Sequence, residues 1–271
     1  MKSLRIRAIF LRIHQVFSGQ FGIDPIRMVR GVQGLPQYIR GLYCFRSRYT
    51  GSIELLPCLH DWLEEGGYTR SEYFWQDLLV ARWIFEENPV KHVDVGSRID
   101  GFVAHVASFR EIEVFDVRPI STKVSGIVFK QADFMQPLEL GECYCDSLSC
   151  LHAIEHFGLG RYGDPIDPMG YQCGIANMAR LLKLGGRFYL STPIGQERVE
   201  FNAHRVFDPR TINRCAEDNG LRLQELTLVG ADGKVSLLAL NDESLRQLSQ
   251  ARYNLGIFVF IKIYHKSPQL S

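Results

Sequence analysis

Lys91 to Pro119 reads KHVDVGSRIDGFVAHVASFREIEVFDVRP. The spacing predicts a buried strand over His92–Val95, a tight turn through Gly96, a short helix to Phe109 and a second strand that stops at Asp116. Continuous apolar runs bounded by turn residues suit parallel strands covered on both faces. The Asp116 carboxylate falls twenty positions after Gly96. In nucleotide-binding α/β sheets an acid at about that offset ends the second strand and accepts hydrogen bonds from a ribose.

The turn itself excludes two ligand classes. A dinucleotide fingerprint needs G-x-G-x-x-G, because a side chain at the second glycine blocks the pyrophosphate. Here Gly96-Ser97-Arg98-Ile99-Asp100-Gly101 puts Arg98 in that place. A phosphate-cradling loop needs Lys, then Ser or Thr, after its last glycine, and Phe102 and Val103 follow instead. A nicotinamide-dependent reductase is disfavoured again, since none of the eleven Tyr is followed four positions later by Lys. What remains is a ligand with ribose and adenine but no phosphates, and S-adenosylmethionine meets that description. An α/β crossover with no ligand shares the same pattern.

The 271 residues allow one large α/β domain or one domain with an extension. Apolar content of 46% and charged content of 23% support a full-sized core without covalent staples. The net charge of +1 argues against a general nucleic-acid binder, but the charge is uneven. Residues 1–50 hold nine Lys or Arg against one acid, Asp24, leaving the remainder at −7. Seven Cys without a C-x-x-C pair suggest reduced thiols and a cytoplasmic protein. No apolar run reaches the roughly 18 residues of a spanning helix, and the first residues do not read as an export signal. Apolar positions recur at helical spacing over residues 4–17, with Arg5 and Arg12 on another face. Such a helix can lie on an anionic membrane surface, or dock on its own domain. A peripheral location at the inner face of the cytoplasmic membrane, through residues 1–17, is therefore an expectation beside a plain cytoplasmic one.

Further along, Gly19 to Pro36 reads as a loop with a short helix after Asp24-Pro25. Ser71 to Glu87 reads as a helix capped by Ser71, with an apolar stripe of Phe74, Leu78, Ala81 and Phe85. Tyr73, Gln76 and Asp77 are candidates for facing the ligand. Strands are expected over 126–130, 145–150, 187–191, 221–229 and 256–263, with helices over 170–183 and 209–219. Residues 242–252 offer one more helix. The alternation predicts an α/β fold, a Rossmann-like doubly wound and mostly parallel sheet of seven strands with an N-terminal helical extension. Antiparallel pairing is preferred for the last two strands.

Taken together these pieces resemble a class I S-adenosylmethionine-dependent methyltransferase over about residues 70–230. Val93-Asp94-Val95-Gly96-Ser97 resembles the first motif, Asp116 the ribose acid and Asp133-Phe134 the adenine-contacting pair. Asp146 to His156, DSLSCLHAIEH, resembles the fourth-strand motif, and LGGRFYLSTP over 184–193 the glycine turn and fifth strand. More narrowly, VDVGSRIDGF, LHAIEHFGLGRYGDPID and FNAHRVF look like a bacterial family catalogued as a domain of unknown function, number 268. Its members often sit in surface-polysaccharide gene clusters. The division expected is a basic N-terminal helical extension over residues 1–60 and a methyltransferase-like α/β domain over 61–271. The resemblance implies S-adenosylmethionine as cofactor and O-methylation of a sugar or glycan precursor. The alternative is a non-catalytic methyltransferase-like binding or assembly module.

Cofactor contacts are expected from Asp94, Gly96, Ser97, Gly101, Asp116, Val117, Asp133, Phe134 and Leu151. His152 is the leading general base, because an imidazole of near-neutral pKa takes up protons at cellular pH. His156, Glu155 and His204 are further catalytic candidates, though Glu155 and His156 could equally orient the loop. Arg161, Tyr162, Asp164, Asn202 and Arg205 are acceptor candidates, and Arg198 or Arg205 could grip a phosphate or carboxylate. The carboxylates of the 158–167 loop with a His could hold Mg²⁺, but no ligand spacing supports a metal.

Overall fold

The computed structural model describes residue 14 and residues 17–62, 64–67, 69–230 and 233–264. The chain separates into two compact units, Met1–Tyr68 and Thr69–Ser271. In the smaller unit Asp24 starts α1, Pro25–Arg46, by accepting from the amides of Ile26 and Arg27 at 2.9 and 3.0 Å. Pro25 fills the first turn, where its missing N–H costs nothing. The helix is far longer than the short one expected, and Pro36 lies inside it. Gly34 explains why the chain can pack here, since a Cβ on it would sit 2.0 Å from the Leu59 carbonyl. The amphipathic helix expected over residues 4–17 falls almost wholly outside the described residues.

In the larger unit α2, Glu72–Glu87, buries Gln76, Asp77, Val80, Ala81 and Ile84. These recur at i, i+4 and i+8, one helix face. The expected stripe was turned by about one position: Phe74, Leu78 and Phe85 are exposed, and only Ala81 of the four is buried. Ser71 stands at the N-cap, yet its side chain makes no capping bond. β1 (His92–Val95) runs into a π-turn over Ile99–Val103 and the short α3 (Ala104–Ala107), then β2 (Ile112–Asp116) and β3 (Ile127–Gln131). β4 (Cys145–Leu151), α4 (Gly170–Leu181) and β5 (Leu182–Ile194) follow. The helix over 170–183 therefore stops two residues early and the strand starts five residues sooner than expected. Next come a hairpin of β6 (Arg198–Glu200) and β7 (His204–Val206), then α5 (Pro209–Glu217) and β8 (Leu221–Val229). β9 (Val235–Leu237), α6 (Asp242–Gln250) and β10 (Asn254–Lys262) complete the unit.

The main sheet has eight strands in the order β3-β2-β1-β4-β5-β10-β8-β9. β1 to β5 pair in parallel, while β10 inserts antiparallel between β5 and β8. The eighth strand is β9, three exposed residues too short to give a sequence signal. Alternation sorts the core to both faces. Val93, Val95, Phe115, Leu148, Phe258 and Phe260 pack with α4 and α5. Ile112, Val114, Leu255, Ile257 and Val259 pack with α2. This is the doubly wound, Rossmann-like architecture, and helices on both faces explain why its strands read as unbroken apolar runs. Truncating Phe258, which is fully buried, would cost about 3–5 kcal/mol.

Candidate functional site

From β1 the chain crosses over to β2 on one side and later returns to β4 on the other. In open α/β sheets a crevice forms beyond the carboxyl ends of the strands where the order reverses. A cleft of about 800 Å³ lies there, lined by residues that follow β1, β2, β3 and β4 and by Glu72, Tyr73, Tyr162, His204 and Tyr253.

The turn after β1 is organised from beneath by Asp94. It is fully buried and accepts from the Ser97 amide at 3.0 Å, Ser97 Oγ at 2.6 Å and Ser149 Oγ at 2.5 Å. Burial outweighs these bonds and pushes its carboxyl up to about 7. Gly96 adopts φ +75°, gives its amide to Phe115 O at 2.8 Å and would place a Cβ 2.9 Å from that of Ala153. Only glycine takes that conformation without strain. Gly101 lets the chain pass Asp77, whose Oδ2 would lie 2.5 Å from an added Cβ. The Leu151 amide donates to Ser97 Oγ at 3.0 Å. Gly96 and Ser97 line the cleft, while Asp94, Gly101 and Leu151 do not. Asp94 and Leu151 fix the turn and β4 against each other, while Gly101 lies against Asp77 of α2. The amides of Gly96 and Ser97 already have partners inside the protein, so the turn is not the free amide cradle that phosphates require.

Asp116 ends β2 at the cleft, 8% exposed. Arg118 holds it three ways: backbone N–H to Oδ1 at 2.8 Å, Nε to Oδ1 at 2.9 Å and Nη2 to Oδ2 at 2.5 Å. The same guanidinium lies 4.5 Å from the Tyr162 ring centre. Arg98, the residue that breaks the dinucleotide pattern, borders the cleft, but its guanidinium forks onto Asp100 at 3.0 and 2.7 Å on the exposed rim. Val117, Asp133 and Phe134 line the cleft too, with Asp133 Oδ1 accepting from the Met135 amide.

His152 follows β4 in the left-handed region, φ +50°. Its side chain is 6% exposed and sits between two carboxylates. Nδ1 is 2.8 Å from Glu155 Oε1; Nε2 is 3.5 Å from Glu72 Oε1, too far for a good hydrogen bond. Glu155 is thus the bonded partner and Glu72 acts through its charge. Burial opposes the imidazolium, yet the two carboxylates win and raise its pKa to about 9. Glu155 is 1% exposed; burial would raise its carboxyl, but the bond and charge of His152 hold it below the usual range. Tyr253 donates to Glu72 at 2.7 Å, and the His152 ring lies tilted against that of Tyr73, with ring centres 4.4 Å apart. The premise that made His152 a base, a near-neutral pKa, does not hold in this setting: its proton is already in place at neutral pH.

His156 differs. Burial lowers its pKa, so the ring is neutral, and its buried Nδ1 has no hydrogen-bond partner. It meets the Tyr162 ring edge-on at 5.5 Å and lines the cleft with His204. His204 lies 3.8 Å from Glu200.

Several acceptor candidates have other work. Arg205 is 5% exposed and gives Nη1 to the carbonyls of Phe157 at 2.5 Å and Glu155 at 3.4 Å, and Nη2 to that of Pro168 at 3.3 Å. It pins the 157–168 loop and does not line the cleft. Arg198 is likewise spent on Glu200 and two backbone carbonyls. Asp164 borders the cleft, but accepts from the amides of Gly158, Gly160 and Tyr162. Asn202 sits in the β6–β7 turn at φ +62° and does not line the cleft. Arg161 and Tyr162 do line it. Of the α2 candidates Tyr73 reaches the cleft, whereas Gln76 and Asp77 are buried below it. Among the described residues no three of His, Cys, Asp and Glu gather as metal ligands. Sequence reasoning missed Glu72, Arg118 and Tyr253. Arg118 had a local signal, the acid-x-Arg spacing that also joins Asp208 to Arg210. Tyr253 is 181 positions from Glu72 and had none.

A family model described as "Caenorhabditis protein of unknown function, DUF268" matches residues 118–214. Its description names Caenorhabditis, which corrects the expectation of a bacterial family. No curated protein matches the sequence. Among solved structures, the [4+2]-cyclase SpnF is similar at 13% identity and TM-score 0.49, over 73% of this chain and 86% of that one. A Burkholderia thailandensis 1,6-didemethyltoxoflavin-N1-methyltransferase with bound S-adenosylhomocysteine is similar at 12% and 0.48, over 70% and 79%. The N-methyltransferase NodS of Bradyrhizobium japonicum, also with S-adenosylhomocysteine, gives 12% and 0.47 over 71% and 88%. Among the described residues no helix is long and apolar enough to cross a membrane.

Proposed function

We propose that this cleft binds S-adenosylmethionine and that the chain transfers its methyl group to a hydroxyl of a small acceptor. The observation that carries the reading is the end of β2: a nearly buried carboxylate, Asp116, at the cleft and beside a turn whose first amides are internally satisfied. Such a place suits two ribose hydroxyls and offers a pyrophosphate no free amide cradle. Charge agrees. Six carboxylates line the cleft against three arginines and protonated His152, so a cationic sulfonium is favoured over an anionic nucleotide. Phe115 and Phe134, at 5.5 Å from each other, supply the apolar wall an adenine needs, with Asp133 next to them.

When bound, S-adenosylmethionine supplies an electrophilic methyl on sulfur. The protein's task is alignment, worth roughly 7 kcal/mol or more, and removal of the acceptor proton, about 3 kcal/mol. His156 is the base we assign: burial disfavours its imidazolium, so the ring is neutral, and the residue lines the cleft. Glu72, His152 and Glu155 carry one net negative charge and hold each other in place, which orients the 152–156 turn and stabilises the cation above it. The aromatic faces of Tyr73 and Tyr162 and the polar rim of Arg161 and His204 suit a sugar acceptor. The bacterial setting falls with the corrected family description. Titration with S-adenosylhomocysteine tests the site. Asp116→Asn should bind about tenfold more weakly, through the lost ionic bonds to the ribose, and unchanged affinity would remove the ribose role.

A further inference from the structure

We infer that Arg118 is shared between cofactor and acceptor: the ribose displaces it from Asp116, and the freed guanidinium then binds a phosphate or carboxylate carried by the acceptor. This rests on the reading of the cleft as an adenosine site. Three bonds from Arg118, one from its backbone N–H and two from its guanidinium, take three of the roughly four acceptor positions of Asp116, and its Nη2 also lies 3.5 Å from Gly96 O. The guanidinium therefore bridges the end of β2 and the turn after β1, where the ribose has to enter. Two ribose hydroxyls need two acceptor positions where only about one is open, so the guanidinium has to give way.

Where it goes is marked by Tyr162. Arg118 lies 4.5 Å from that ring centre and Arg161 lies 5.2 Å from it. Arg161 gives Nη1 to Ala203 O at 2.8 Å and lines the same cleft. The Arg118 side chain is 42% exposed and free to swing, whereas Asp116 at 8% is fixed at the strand end. Released, Arg118 and Arg161 form a two-guanidinium fork about one aromatic ring, the geometry that holds an oxyanion. Before release the site is weak, because Asp116 neutralises half of it. The two ligands then favour each other, and the preference is reciprocal.

Calorimetric titration with S-adenosylhomocysteine tests this, on wild type, Arg118→Met and Arg161→Met. Each is measured in sodium chloride and in inorganic phosphate at matched ionic strength, so that general screening cancels. In chloride Arg118→Met should bind about two- to fivefold more tightly than wild type, the size of a partly exposed ion pair removed as competitor. Phosphate should tighten the wild type, leave Arg118→Met unmoved and affect Arg161→Met less. Heat from both proteins with equal or weaker affinity for Arg118→Met, or a phosphate effect that survives Arg118→Met, overturns the inference alone. No heat from wild type or variant at millimolar ligand overturns the adenosine reading with it.

Discussion

The buried imidazolium of His152 makes stability depend on pH in a definite direction. Its pKa rises from 6.5 to about 9 between Glu155 and Glu72. At 1.36 kcal/mol per unit this shift is worth on the order of 3 kcal/mol of folding free energy. The depressed carboxyls of Glu155 and Glu72 are the same attraction seen from the other partners and are not added to it. Because the folded value lies above the unfolded one, the contribution is complete below pH 6.5 and fades as pH rises through about 9. Urea unfolding followed by circular dichroism at pH 6, 7, 8 and 9.5 reads it directly at constant ionic strength. Wild type should lose about 3 kcal/mol across that range. His152→Gln keeps an amide that can donate to Glu155 but cannot titrate, and should start lower and stay flat over the same interval. A wild-type curve flat from pH 6.5 to 9, or a variant that falls in parallel with it, refutes the charged His152.

His156→Ala should reduce turnover about 100-fold, the usual worth of a general base, while S-adenosylhomocysteine affinity barely changes; parallel losses in both would assign the residue to structure. Arg205→Met leaves the carbonyls of Glu155, Phe157 and Pro168 without this donor, so unfolding free energy should drop by about 1–3 kcal/mol. Amide exchange should quicken in that loop first, and unaltered exchange there would contradict the clamp. Gly96→Ala meets both a positive φ and the Ala153 methyl, and about 1–3 kcal/mol of destabilisation is expected from thermal unfolding. A neutral result would show that the turn relaxes.

The order of strands and helices was legible because buried parallel strands leave apolar runs and helices leave a period. β1 was placed residue for residue, and Asp116 does end β2 beside the cleft. Ends of elements were less legible where two patterns overlap: Leu182 continues the α4 apolar period and also opens β5. The α2 stripe went astray because Phe74 and Phe85 are large and apolar, yet the buried face carries Gln76 and Asp77. Site chemistry was harder still. Whether a histidine is charged depends on neighbours that sequence separates, and His152 owes its proton partly to Glu72, eighty positions away. Arg205 looked like an anion binder because a one-dimensional reading cannot see the carbonyls it satisfies.

The central claim is that the cleft receives an adenosine without phosphates. Equilibrium dialysis of the full chain against S-adenosylhomocysteine, ATP and NAD, each at the same concentration, tests it most directly. Retention of S-adenosylhomocysteine with both nucleotides passing freely is the result the account predicts. Retention of ATP or NAD as strong as that of S-adenosylhomocysteine, or of none of the three, would contradict it.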